Sequence, residues 1–204
     1  MTEEKQDRRS RRTRQVLIQA LLDLLGSRHY DAITVQDIVD RANVGRSTFY
    51  AHFQDKDDLL RSGFGHVLDM LVEHIALGED GQVVFDTSML FQHAAGHYEI
   101  YRTLIWGSGL DVLTGDGHAM LSRKIEERFA LLQSAVQPPS IPLSITAYSV
   151  AGAVLLLLKW WLDHKMPHSP ERMDAIFQQL VMPGVRHALT SAEDEGQSDS
   201  PMTK

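Results

Sequence analysis

Apolar residues recur at helical spacing along most of this chain. Leu17, Ala20, Leu21, Leu24 and Leu25 fall at i, i+3, i+4, i+7 and i+8, so one stripe faces a core and a helix is predicted over residues 8–27. Val35, Ile38, Val39 and Ala42 follow with the same period. Thr34 stands ahead of them as an N-cap, with Asp37 three residues on to close a capping box. Asn43 tolerates the positive φ at which a helix stops, Val44 packs a turn, and Gly45 opens another helix. Phe49, Tyr50 and Phe53 form the apolar side of that short helix, leaving Arg46, Ser47, Thr48 and His52 on the other. Two short helices at a steep angle, the second carrying donors, suit insertion into a DNA major groove.

The rest of the pattern is also helical. Asp55 caps a helix over 56–76, in which Leu59, Phe64, Val67, Leu68, Leu71 and Ile75 are wide enough to touch two bodies. Residues 77–81 read as a loop, 84–95 and 99–106 as helices around Gly96, and 118–136 as a helix after the glycines at 115 and 117. Pro138, Pro139 and Pro142 make a firm break. Residues 143–165 are the most apolar, but the strict apolar run, 150–158, is far below the roughly 20 residues of a membrane span. Such a helix is expected to be buried on two sides. Ser169-Pro170-Glu171 starts a helix over 169–182, and 185–189 adds a last turn. The expectation is an all-α protein of nine or ten helices with no strands. Its parts are a disordered arm (1–7), a helix-turn-helix domain (8–54), a C-terminal helical bundle for ligand binding and dimerisation (55–190) and a disordered tail (191–204).

The segment from Thr34 to Lys56 resembles the tetracycline-repressor (TetR) family of bacterial transcription regulators, and the resemblance covers Arg8 to about Leu60. The residues that carry the resemblance are Thr34, Ile38, Val39, Ala42, Val44, Thr48, Phe49, Tyr50, His52, Phe53, Lys56 and Leu59. Asn43 departs from the family's usual Gly, and Gly45 from the Ser that caps its recognition helix. The resemblance implies that Thr34, Tyr50, His52 and Lys56 hold backbone phosphates, while the polar face offers Arg46, Ser47 and Thr48 to the groove. It also implies a linking helix, a ligand pocket in the bundle and a four-helix dimer interface built from the last two long helices. For that interface we expect Gly152, Leu156, Trp160, Met173, Phe177 and Leu180. For the pocket we expect the aromatics and histidines Phe91, His93, His97, Tyr101, Trp106 and Tyr148, each of which also reads as plain core or surface.

Charge sharpens this picture. The chain of 204 residues carries net −7, yet between Lys5 and Tyr50 nine basic residues face five acidic ones. The first end is therefore locally basic, and the acid lies where it keeps the remainder off phosphates. Arg8, Arg9, Arg11, Arg12 and Arg14 read either as a solvated run or as a phosphate-binding arm. There is no cysteine, which excludes disulfides and thiolate chemistry. The start lacks an apolar signal-peptide region, so a cytoplasmic protein is expected. No Gly-rich phosphate loop, His-Glu-x-x-His or nucleophile elbow occurs, so no catalytic residue, enzyme activity or cofactor is expected. His93 and His97 share a helix face, but two ligands do not make a metal site. The expected function is a homodimeric repressor that binds an inverted-repeat duplex and is released by a small effector, with no membrane partner. The alternative is a DNA-binding protein whose C-terminal domain takes a protein partner.

Overall fold

The leucine stripe of the first helix sets the register for everything after it. In α1 (Thr2–Leu25), Leu17, Leu21 and Leu25 are buried on one side. The computed structural model describes residues 2–105, 109–132 and 139–189. Helix begins at Thr2, within the segment expected to be a disordered arm. Arg, Lys, Glu and Gln are good helix formers, and Arg11 pairs with Asp7 one turn back at 2.7 Å. A 3-10 turn, Tyr30–Ala32, leads to α2 (Val35–Ala42) and α3 (Arg46–Tyr50). Ile38, Val39, Phe49 and Phe53 close with α1 over the core of a small head.

Helix α4 (Lys56–Glu73) joins this head to the body. Leu59 and Leu60 belong to the head's core, Leu68 and Leu71 to the body's, and Phe64 packs against both. The helix stops at Glu73, short of the 76 expected. Residues 75–85 then form a hairpin, where the sequence pattern indicated a loop and the start of a helix. β1 (Ile75–Leu77) pairs antiparallel with β2 (Val83–Phe85), Ile75 opposite Phe85. Each strand is three residues long, too short for an alternating pattern to show. Gly81, at φ +74°, makes the turn possible. The strands' outer carbonyls are held by side chains: Arg128 donates to Ile75, Gln178 to Phe85 and Arg186 to Val83.

The body follows as α5 (Ser88–Gly96), α6 (Tyr98–Ile105), α7 (Gly109–Leu132), α8 (Leu143–Asp163), α9 (Pro170–Leu180) and α10 (Met182–Leu189). Helix α7 runs through the glycines at 115 and 117 instead of starting after them. Glycine inside a helix costs about 1 kcal/mol relative to alanine. Packing offsets that here, because the Phe64 ring lies against Gly117 and Leu121, Ile125 and Phe129 are fully buried. Helix α8 buries Val150, Ala151, Val154, Leu158 and Trp161 on its inner side. Trp106, the start of the proline-rich break with Pro138, and the tail from residue 190 on lie outside the described residues.

Candidate nucleic-acid interface

The turn between α2 and α3 is fixed by local chemistry. Thr34 Oγ1 accepts the Asp37 amide at 3.2 Å, and the Asp37 carboxylate accepts the Thr34 amide at 2.9 Å, a complete capping box. The Thr34 hydroxyl and amide, with Arg28 further off, hold the Asp37 carboxyl down at about 2. Asn43 adopts the left-handed conformation, φ 52° and ψ 48°, and its amide bonds back to Asp40. Val44 N–H donates to Val39 at 3.0 Å, which turns the chain sharply into α3. Gly45 caps α3 with no side-chain bond. Arg41–Asp23 at 2.6 Å and Arg28–Asp37 at 3.0 Å brace the outside.

Burial sorts the expected contacts. Phe49 is fully buried and meets Tyr50 edge-on and Phe53 at a tilt. That anchors α3 and turns Arg46, Ser47 and half of Tyr50 (52% exposed) to solvent, with Thr48 and His52 partly covered. Arg46, Ser47, Thr48 and Tyr50 thus stand together on the outer side of α3. Lys56 differs. Its ammonium donates to the carbonyls of Tyr30 and Ile33, each at 3.0 Å, and lies 4.3 Å from the Tyr30 ring. Two of its three N–H groups are therefore spent inside the head, leaving one for an outside acceptor. Burial, then a hydrogen bond to Asp57, raises the Tyr30 hydroxyl's pKa, so Tyr30 stays neutral.

Sequence reasoning grouped Arg14 with the other arginines, but the structure separates it. Its guanidinium donates to the His52 carbonyl at 3.0 Å and the Ser62 hydroxyl at 2.8 Å, and stacks 4.4 Å from the Phe53 ring. It ties α1 to the end of α3 and to α4. No spacing rule marks such a role, because its partners are 38 and 48 residues away.

The expected pocket residues do not converge. Phe91 packs edge-on against Trp161 in the core, and Tyr148 is 62% exposed on the outer side of α8 against His118. Tyr148 is therefore not a pocket residue within one chain. His93, His97 and Tyr101 do meet: the imidazoles are 4.4 Å apart and Tyr101 sets its ring across His93. Burial, then the neighbouring His97, lowers the His93 pKa, and burial raises that of Tyr101. A polar cleft of about 220 Å3 lies elsewhere, where α6 meets the end of α1, lined by Arg28, His29, Glu99, Arg102 and Thr103.

The expected interface residues also divide. Leu156 (65%), Trp160 (44%) and Leu180 (72%) are exposed, while Met173 and Phe177 are fully buried in the body's core. Phe177 meets Phe85 edge-on at 5.5 Å, so α9 turns that side inward onto the hairpin. Met173 and Phe177 are thus core. Gly152 sits against His118, whose Nε2–H donates to the Tyr148 carbonyl of α8 at 3.0 Å.

Comparison with known proteins agrees with this architecture. The family model described as bacterial regulatory proteins, tetR family, matches residues 17–62, the head without the first turns of α1. The uncharacterized HTH-type transcriptional regulator YxbF of Bacillus subtilis (strain 168) is 38% identical over 181 residues, covering 86% of this chain but only 46% of that protein. The chain thus spans about half the length of that relative. The HTH-type dhaKLM operon transcriptional activator DhaS of Lactococcus lactis subsp. lactis (strain IL1403) is 40% identical over 48 residues, 24% of this chain and 26% of that protein. A TetR transcriptional regulator from Streptococcus agalactiae 2603V superposes with a TM-score of 0.52 at 25% identity, over 88% of this chain and 99% of that one. Head, linking helix and helical body are together similar to that regulator, and the head, residues 17–62, carries the match to the tetR family of bacterial regulatory proteins.

Proposed function

We propose that this chain is a homodimeric, cytoplasmic transcriptional repressor that binds an inverted-repeat operator and leaves it when a small molecule binds the body. The observation that carries this reading is the outer side of α3. A buried Phe49 and a rigid, capped turn present Arg46, Ser47, Thr48 and Tyr50 together on a helix supported from behind. Arg46 suits the O6 and N7 acceptors of guanine, Ser47 and Thr48 suit base edges, and Tyr50 and His52 suit phosphates. Thr34 and the remaining N–H of Lys56 serve phosphates at the head's edge.

A duplex reads two heads only if they are held one helical turn apart, about 34–36 Å or a multiple. The exposed apolar residues of α8, Ile145, Tyr148, Leu156 and Trp160, and exposed Leu180 of α9 support pairing with a second copy. Gly152 lies on the same helix. For the effector, the corner of His93, His97 and Tyr101 is the best-supported contact set in the body. The Tyr101 hydroxyl makes no hydrogen bond among the described residues.

The test is selection of duplexes from a random library by the purified chain. Recovery of one inverted repeat, bound by two chains, is the expected result. A pool with no common sequence contradicts it.

A further inference from the structure

The arginines at the start of α1 belong to an element that the helix-turn-helix does not use. Residues 2–25 are one continuous helix, but the head's core reaches only to Leu17, and the last tie to the head is Arg14. Twelve residues therefore extend past that tie, about 18 Å of helix at 1.5 Å per residue. The point of departure is fixed by Arg14, which is bonded to His52, two residues past α3, and to Ser62 of α4. The extension thus leaves the head beside the end of the helix that faces the groove.

The charges on it are not equivalent. Arg14 is consumed by the head, and Arg11 is paired with Asp7 at 2.7 Å. Arg8, Arg9 and Arg12 are exposed, and their guanidinium groups make no hydrogen bond or ion pair among the described residues. Their spacing, i, i+1 and i+4, puts them on one side of the helix, all within about 9 Å along the axis from Arg14. Arg28 and Arg41, on the outside of the head, are each bound to a carboxylate. In a chain with 27 acidic and 20 basic residues, a run of unpaired guanidinium groups is not a consequence of composition.

We propose that the amino-terminal half of α1 is a rigid basic arm that binds the phosphate backbone of duplex DNA flanking each half-site, through Arg8, Arg9 and Arg12. The inference rests on the operator-binding reading above and adds a contact outside the groove that α3 enters. Because phosphates carry no sequence, the arm raises affinity and salt dependence and leaves base preference to α3. A preformed helix brings its three guanidinium groups without the ordering cost a disordered arm incurs on binding.

The experiment compares the full chain with the triple variant Arg8→Gln, Arg9→Gln, Arg12→Gln, and with the single variant Arg41→Gln as a control for lost charge. Glutamine keeps the helix propensity, and circular dichroism checks that α1 survives. Binding of the library-selected duplex is followed by fluorescence anisotropy between about 50 and 200 mM KCl, alongside a scrambled duplex. With one arm from each of the two bound chains, six lost phosphate contacts should reduce the slope of log K against log salt by about 5.4. The ratio of affinities for the selected and scrambled duplexes should stay unchanged, and the control should keep the wild-type slope. Trimming the duplex at its outer ends should reduce the slope of the wild type and not that of the triple variant. An unchanged slope in the triple variant overturns the arm and leaves recognition by α3 standing. A wild type with no preference for any duplex overturns both.

Discussion

Lys56 and Arg46 look alike as charges and differ as residues. Lys56 bonds two backbone carbonyls and covers the Tyr30 ring, so it holds the 3-10 turn against the start of α4. Replacing it with methionine leaves those carbonyls without their charged donor, and a fold-stability loss of about 1.5–3 kcal/mol is expected in urea melts. Arg46 is exposed, so Arg46→Ala should hold stability within roughly 0.5 kcal/mol. Its effect should appear in DNA, as about 1–3 kcal/mol of lost discrimination at one base pair. If Lys56→Met melts like wild type, the tie is ornamental and the residue is free for phosphate. Asp37 adds a pH dependence of known sign. Its folded pKa, about 2, lies below the usual 3.8, so its contribution is complete above 3.8 and is lost as pH falls toward 2. Asp37→Asn should therefore flatten the loss of stability in that acid window, measured by melts at stepped pH.

Helix α9 shows how one element can face two ways. Phe177 and Met173 are fully buried under the hairpin, while Leu180 on the same helix is largely exposed. Phe177→Glu should unfold the body. Leu156→Glu on the open side of α8 should leave the fold intact and shift sedimentation from dimer to monomer, and a variant that still sediments as a dimer would remove this face from the interface. Asp174 of α9 accepts the amide and hydroxyl of the buried Thr87, at 2.9 and 2.7 Å, so Asp174→Ala should cost about 1–3 kcal/mol by stranding both donors. The head was legible in the sequence because its signals are local: a cap, a left-handed Asn43, an alternation of buried and polar positions over one turn. The inward side of α9 was not, since an apolar helix face does not say whether its partner is the same chain or another. Nor was the hairpin, whose short strands are stabilised by Arg128, Gln178 and Arg186, residues up to 103 positions away. Helix α7 was hidden by two glycines, one of which, Gly117, lies against the Phe64 ring.

The whole molecule joins head to body twice. Helix α4 was expected to do so; α6 also does, because Leu104 is buried in the head's core and the Thr103 hydroxyl donates to the Leu25 carbonyl at 3.0 Å. A ligand at His93, His97 and Tyr101 sits against the helix that carries Thr103 and Leu104, so it can move α1 without passing through α4. Coupling of about 1–3 kcal/mol between ligand and operator is expected, and linkage makes it reciprocal. Thr103→Val should reduce that coupling while leaving ligand affinity unchanged in the absence of DNA; equal coupling in both proteins would assign the transmission to α4 alone. The proposed repression depends on two heads reading one duplex. The direct measurement is the stoichiometry and affinity of the chain on a selected inverted repeat, by analytical ultracentrifugation and anisotropy at one salt concentration, with a single half-site as reference. Two chains should bind the repeat together and far more tightly than the half-site, with half-site centres about 10–10.5 base pairs apart or a multiple of that. One chain per duplex, with equal affinity for repeat and half-site, would contradict it.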